Sequence, residues 1–348
     1  MRFNLVMNYR RKILIKTKRF KPPRLSKNEK KAIKEYYRKK GYKNIKTQWH
    51  QYFSGFNKHF SVKYIPEDIF HPIIAPILNN HLQWPALLDK NLLYRLFNDV
   101  KQPSCIISNI NGFYYNQKEL ISLSEAVELC STNNFLVIKP SIESGGGNGV
   151  IGFSVNKGRT SYKSLSIKEL FLTYSKDFIV QEVVKQHPDM KKLNPSSLNT
   201  IRVLSYLKND SVYLLSSIVR IGKLNSFTDN SSSGGISCGI NPDGSLKQYG
   251  FNQAGEQRFE SDSGIRLATF KVPEYKKVKE LVKKVHIQVP YFKLIAWDIA
   301  IDYEEAPVLI EYNTYKMGIS SLQLANGPLF GEFTDELLEI GENYKPLT

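Results

Sequence analysis

Residues 291–314 read YFKLIAWDIAIDYEEAPVLIEYNT. Two apolar runs, Leu294–Ile301 and Val308–Ile310, flank a polar turn centred on Glu304 and Glu305, the pattern of a β-hairpin. With the turn there, residue 298 falls opposite residue 311, because (298 + 311)/2 lies between 304 and 305. Opposed side chains on one face have Cβ atoms ~4.5–5.5 Å apart, so Asp298 and Glu311 face each other. Asn313 shares that face, since side chains alternate with period two. Two carboxylates so placed repel, and a charge that interrupts an apolar strand needs a partner. No Lys or Arg lies on that face of the hairpin. Two readings therefore stand. A divalent cation is held by two carboxylates and an amide oxygen, a donor set suited to Mg²⁺ or Mn²⁺; or the two acids ride the solvent face of an ordinary hairpin.

The surrounding chain has 348 residues, 41% hydrophobic and 12% aromatic, enough for two or three compact units with a full core. No apolar run approaches the ~20 residues needed to span a bilayer. The start, MRFNLVMNYRRKIL, lacks the apolar core and cleavage site of a signal peptide. Cys105, Cys130 and Cys238 show no CxxC spacing, which argues against a zinc site or a disulfide framework and for a reducing compartment. The expectation is a cytoplasmic protein. The net charge of +17 is concentrated at one end: residues 1–48 hold eighteen Lys/Arg and two acids (+16), leaving 31 basic against 30 acidic residues elsewhere (+1). A basic helical arm thus precedes a near-neutral body. It offers a surface for anionic membrane or acidic glycan, which would make the protein peripheral to the inner face of a membrane. No nucleic-acid signature accompanies the charge, so sequence-specific nucleic-acid binding is excluded.

In the arm, Ser26 and Glu29 form a capping box, Ala32, Ile33, Tyr36 and Tyr37 an apolar stripe, and Gly41 a helix stop. Residues 49–88 carry Pro66, Pro72, Pro76 and Pro85 between short helices. His50, His59, His71 and His81 lack metal-ligand spacing and read as packing or surface residues. Lys90 follows Asp89 at the start of a helical run, against the dipole's preference, which hints at an anion nearby. A helix over 124–131 opens at Ser124. Then Phe135–Pro140 is a buried strand ending in Lys139, and Ser144-Gly145-Gly146-Gly147-Asn148-Gly149 joins it to a second strand over 151–155. Three consecutive glycines exceed what a tight turn requires and suit a mobile loop whose N–H groups close over phosphates; a plain surface hairpin is the alternative. No GK[ST] follows, so this is not a Walker loop. Further strands are expected over 178–184, 199–207 and 212–220, the last two carrying Arg202 and Arg220 amid apolar residues. A second polar loop, Asn230-Ser231-Ser232-Ser233-Gly234-Gly235, and an amphipathic helix over 273–289 complete the chain before the hairpin.

Taken in order, a lysine, a lysine-ended strand with a glycine loop, Glu182-Val183-Val184, and Asp…Glu-x-Asn on a hairpin resemble the ATP-grasp superfamily over roughly residues 85–325. Asn199-Thr200-Ile201-Arg202-Val203 with Arg220, Asn230 and Ser233-Gly234-Gly235 resembles the alpha-L-glutamate ligase-related branch, in particular its sugar-transfer-associated group. The resemblance implies an α+β, ATP-grasp fold: a basic helical arm (1–48), a helical linker (49–88) and an ATP-grasp domain (89–348). That domain divides into a small lid subdomain about 130–182 and a C-terminal catalytic subdomain about 183–345. It implies that Lys90 and Lys139 contact ATP phosphates beneath a loop of Ser144, Gly145, Gly146, Gly147 and Gly149. Glu182, Val183 and Val184 would receive adenine, and Asp189 (or His187) ribose. Arg202 and Arg220 would act at the transferred phosphate and the carboxylate substrate, Asn230, Ser233, Gly234 and Gly235 would bind substrate, and Asp298, Glu311 and Asn313 would hold Mg²⁺ or Mn²⁺. Ala296 departs from the arginine often found in the family two residues before the first metal acid. The implied activity is an ATP-dependent carboxylate–amine ligase forming an amide through an acyl phosphate, acting in cell-surface polysaccharide modification on a small-molecule or glycan carboxylate and an amine. The alternatives are a kinase acting on a hydroxyl and a non-catalytic nucleotide-binding adaptor.

Overall fold

The computed structural model describes residues 2–80, 82–142, 145–230, 233–315 and 317–343. Its strands are β1 (Cys105–Ile110), β2 (Phe113–Asn116), β3 (Glu119–Ile121), β4 (Leu136–Pro140), β5 (Ile151–Phe153), β6 (Val155–Asn156), β7 (Arg159–Thr160) and β8 (Phe178–Glu182), followed by β9 (Thr200–Lys208), β10 (Ser211–Ile221), β11 (Ile236–Ile240), β12 (Leu246–Phe251), β13 (Gln257–Arg258), β14 (Leu294–Ile301) and β15 (Pro307–Asn313). A six-stranded sheet runs β3-β2-β1-β8-β4-β5 and a seven-stranded sheet β13-β12-β11-β10-β9-β14-β15. The smaller sheet draws β1–β3 from residues 105–121, ahead of the lid boundary expected near 130. Helices and antiparallel sheets make the α+β fold that the sequence implied.

The larger sheet sets the geometry of everything else. β14 is buried along its whole length, so both of its faces are covered. Ile295, Trp297, Ile299 and Ile301 point into one cluster with Val278, Val282 and Val285 of the helix Tyr275–His286. Leu294 and Ala296 point the other way, with Leu204, Tyr206 and Ile218 of β9 and β10. Period two therefore puts Asp298 on the second face. Under one end of that face lies apolar packing; at the other end the sheet turns polar.

That packing includes the N-terminal arm. Helices α1 (Arg2–Phe20), α2 (Lys27–Lys39) and α3 (Gln48–Asn57) lie against the body. The capping box of Ser26 and Glu29 forms, and Gly41 follows the α2 C-cap at φ +85°. Ile33 and Tyr37 of α2 are fully buried in the cluster that contains Leu294 and Ala296. The Tyr37 hydroxyl donates to Tyr64 O at 2.5 Å and that of Tyr36 to Asp335 at 2.9 Å. From α1, Arg10 meets Asp68 at 2.9 Å and Lys12 meets Glu67 at 2.7 Å. The basic segment is thus a packed layer of the fold: α2 turns Ile33 and Tyr37 inward and keeps Lys27, Lys31, Lys34 and Lys39 on its outer face. Tyr37→Ala is expected to cost about 3–5 kcal/mol, seen as a lower urea midpoint. An unchanged midpoint would make the segment an appendage after all.

Other local departures have plain causes. Ser122, not Ser124, caps the helix Leu123–Ser131, because Glu125 stands three residues on and completes the box. His50 and His71 are packing residues, as expected; burial pushes each imidazole down to about 4. His59 is exposed, and His81 lies outside the described residues.

Candidate functional site

Between the two sheets lies a cleft of 1070 Å³. Phe135, Val137 and Lys139 enter it from the smaller sheet, and Thr200, Arg202, Arg220, Asp298, Glu311 and Asn313 from the larger. Small-molecule and cofactor pockets typically enclose about 300–1,000 Å³, so this cleft is roomy enough for a nucleotide.

Asp298 and Glu311 are directly paired across β14 and β15, as the sequence predicted, but the route differs. Ile301 pairs with Pro307, so the turn centres on residue 304 and an unbroken ladder would set Asp298 against Ile310. Ile299 pairs with Leu309 while Asp298 pairs with Glu311, which leaves Ile310 as a bulge. That one extra residue brings the carboxylates to face each other. Asn313 completes the group, its Nδ2 at 3.5 Å from Asp298 Oδ2 and 3.4 Å from Glu311 Oε1.

The hairpin itself carries no cation on that face; its neighbours supply two. Arg202 of β9 is opposite Asp298 in register and binds it bidentately, Nε to Oδ1 at 2.7 Å and Nη2 to Oδ2 at 2.6 Å. Arg220 Nη1 on β10 reaches the same Oδ2 at 3.1 Å. Burial alone would raise the Asp298 carboxyl; the two guanidinium groups outweigh it and hold the pKa below the ordinary range. Arg220 also binds Asp229 at 3.0 Å and the Asn230 side-chain carbonyl, so the arginines tie three strands and a loop to one carboxylate.

Two lysines close the cleft from the other side. Lys90 Nζ stands 3.7 Å from Glu311 Oε2, and its backbone N–H donates to Ser141 O at 3.0 Å, which links it to the end of β4. Lys90 opens a three-residue 3₁₀ turn capped by Asp89 rather than a long helix. Lys139, on β4, is half-buried; desolvation draws its ammonium down to about 8 against the pull of Glu311, with Lys90 adding to the lowering. An anion entering here would meet a site already short of counter-charge.

The glycine loop borders the same space. Gly145, Gly146 and Gly147 line the cleft, whereas Gly149 does not. Ser144 lies outside the described residues. Gly147 has φ +74°, and a Cβ there would stand 2.2 Å from Asn230 Nδ2, so only glycine lets the loop meet the Asn230 loop. Gly149 packs on Pro140, and its carbonyl accepts from Tyr174 Oη at 2.6 Å. We expect Gly145–Gly149 to exchange amide hydrogens more slowly once ATP is added, as a closing lid does. Equal exchange with and without nucleotide would make it a surface hairpin.

Glu182, Val183 and Val184 line the cleft where β8 ends; the Glu182 N–H is already bound to Ser104 O at 2.9 Å, leaving the groups after it to face a ligand. Not every expected residue converges. Asp189 is absent from the cleft lining and pairs with Lys192 at 2.6 Å, while His187 Nδ1 accepts from the Asp189 N–H; neither reaches the cleft, and Lys185 and Lys191 border it instead. Asn230 lines the cleft, but Ser233, Gly234 and Gly235 shape the turn behind it, their N–H groups at 233 and 235 both bonded to Asn230 O. Ser231 and Ser232 lie outside the described residues. Sequence reasoning missed Asp229, buried between Arg220 and Thr200. Its signal was present: a lone acid beside Asn230 in a chain segment already noted for its arginines.

Asp298, Glu311 and Asn313 offer hard oxygen donors that fit Mg²⁺ or Mn²⁺. Glu311 keeps 28% of its side chain exposed toward the cleft, while Asp298 has its oxygens engaged by arginine and is the more constrained donor. Rotating the Asn313 amide by half a turn presents Oδ1 where Nδ2 now points. No group of three His, Cys, Asp or Glu suited to a metal occurs among the described residues.

The model of a family described as sugar-transfer associated ATP-grasp matches residues 74–335. No curated protein matches the chain. Similar solved structures include an L-amino acid ligase from Bacillus licheniformis, 12% identical at TM-score 0.43, over 74% of this chain and 48% of that one. A D-alanyl-alanine synthetase A from Vibrio cholerae is 14% identical at TM-score 0.43, over 73% and 64%. The ATP-grasp ligase PsnB, complexed with minimal precursor, is 13% identical at TM-score 0.39, over 74% and 62%. The match thus spans about half to two thirds of the length of these structures.

Proposed function

The chain belongs to the sugar-transfer associated ATP-grasp family, and from that premise we propose that its cleft is the active site of an ATP- and Mg²⁺-dependent carboxylate–amine ligase. The observation that carries the reading is the convergence of Lys90, Lys139, Arg202, Arg220, Asp298, Glu311 and Asn313 on one cleft bordered by a glycine loop. Lys90 and Lys139 bind the phosphates of ATP, and Gly145–Gly147 cover them with backbone N–H groups. Val183 and Val184 receive the adenine. Asp298, Glu311 and Asn313 would hold Mg²⁺, which would supply charge neutralisation to the phosphates when bound.

A substrate carboxylate oxygen attacks the γ-phosphorus, the bond to the β-phosphate oxygen breaks, and ADP leaves. An amine then attacks the acyl phosphate carbon; phosphate departs, the nitrogen loses a proton, and an amide remains. Arg220 faces the growing charge on the transferred phosphoryl group, while Arg202 holds Asp298 in place. Such chemistry asks the protein chiefly for positioning and charge stabilisation. The family's sugar-transfer association supports a saccharide-borne acid or amine in cell-surface polysaccharide modification. Mass spectrometry after incubation with ATP, Mg²⁺, amino acids and uronic sugars should find a condensed amide with one ADP per bond. A phosphorylated sugar instead would identify a kinase, and no ADP release with any acceptor would leave a nucleotide-binding adaptor.

A further inference from the structure

We propose that the outward face of α1 is a docking surface for an anionic membrane. The inference is independent of the chemistry in the cleft. Helix α1 sits on the body through one side only: Ile13 is 1% exposed, with Tyr9 and Phe20 packed against the same cluster. The opposite side is exposed and largely apolar. Phe3 is 74% exposed, Met7 46%, Leu14 53% and Ile15 56%. At 100° per residue these four fall within about one third of the helix circumference, and exposed Arg11 and Lys18 fall between them. Exposed Arg19, Lys21 and Arg24 continue the basic surface past the helix end. No acidic residue precedes Glu29.

Single exposed apolar residues are ordinary, but four on one helix face interleaved with cations need a partner that takes both. A bilayer with anionic headgroups does so: acyl chains receive Phe3, Met7 and Leu14 while headgroup phosphates meet Arg11 and Lys18. An acidic glycan would use the charge and leave the apolar ridge in water. A second copy of this chain would bring its own positive face against this one. No described helix is long and apolar enough to cross a membrane, so α1 lies along the surface.

The test is flotation of the full-length protein with phosphatidylcholine vesicles, with and without phosphatidylserine. The wild type should float with the anionic vesicles alone and release as salt is raised. Phe3→Ser/Leu14→Ser and, separately, Arg11→Gln/Lys18→Gln should each weaken binding about tenfold or more. Both variants change exposed side chains, so their urea midpoints should match the wild type and report that the fold is kept. Failure of the wild type to float overturns the proposal. So does undiminished binding by Phe3→Ser/Leu14→Ser, which would assign the charge to an acidic glycan, or a dimeric wild type made monomeric by that variant.

Discussion

Glu311→Gln is expected to slow ADP release about 10²–10³-fold, the usual loss when one charge that stabilises the transition state is removed. Glutamine keeps the shape and one oxygen, so the substitution tests charge rather than packing. Glu311 faces the cleft with 28% of its side chain exposed, and its nearest cation is Lys90 at 3.7 Å, a distance at which little stability is at stake. The urea midpoint should therefore stay close to the wild-type value. Nucleotide affinity in the absence of Mg²⁺ should also survive, since the lysines and the glycine loop remain. ADP release at the wild-type rate with saturating Mg²⁺ would remove Glu311 from the machinery and return the hairpin acids to an ordinary polar edge.

Arg202→Met should act on stability first. Arg202 and Asp298 are 11% and 2% exposed at their side chains and share two hydrogen bonds, so the variant strips a buried carboxylate of its main partner. Removing one member of a buried pair typically costs about 3–5 kcal/mol, because the remaining charge is left desolvated. Methionine fills the volume of the arginine stem, which separates the charge effect from a cavity. Arg220, at 3.1 Å, limits the loss but cannot replace a bidentate partner. The double variant Arg202→Met/Asp298→Asn should recover most of the stability, since no unpaired charge remains. A loss below about 1 kcal/mol, the level of an exposed pair, would contradict this account, as would a double variant no more stable than Arg202→Met.

Much of the site could be read in one dimension because its elements are local. Apolar runs separated by turn residues mark β14 and β15, and counting from a turn between Glu304 and Glu305 sets Asp298 against Glu311, a pairing the structure reaches through the Ile310 bulge. The lysine at the end of β4 and the glycines after it belong to one short segment, and both reach the cleft. Asp189 misled for the same reason in reverse. It stands in the right part of the chain, but the short helix Pro188–Leu193 offers it Lys192 three residues on, and the local pair wins. Ser233, Gly234 and Gly235 hold the turn that presents Asn230, a role that a glycine's φ of +94° at 234 explains and that a motif match does not distinguish from contact.

The amino-acid sequence by itself determined the hairpin, the glycine loop and the excess of charge at one end. Each depends on neighbours in the chain: alternation, turn residues, capping and counted charges. Tertiary structure alone decided what Asp298 binds, because Arg202 lies 96 residues away and arrives only when β9 pairs with β14. It decided that Ile310 bulges, a single-residue adjustment that no periodicity reveals. It also turned the basic segment into a layer of the core, since net charge says how many lysines a helix carries but not which of its faces is free to hold them.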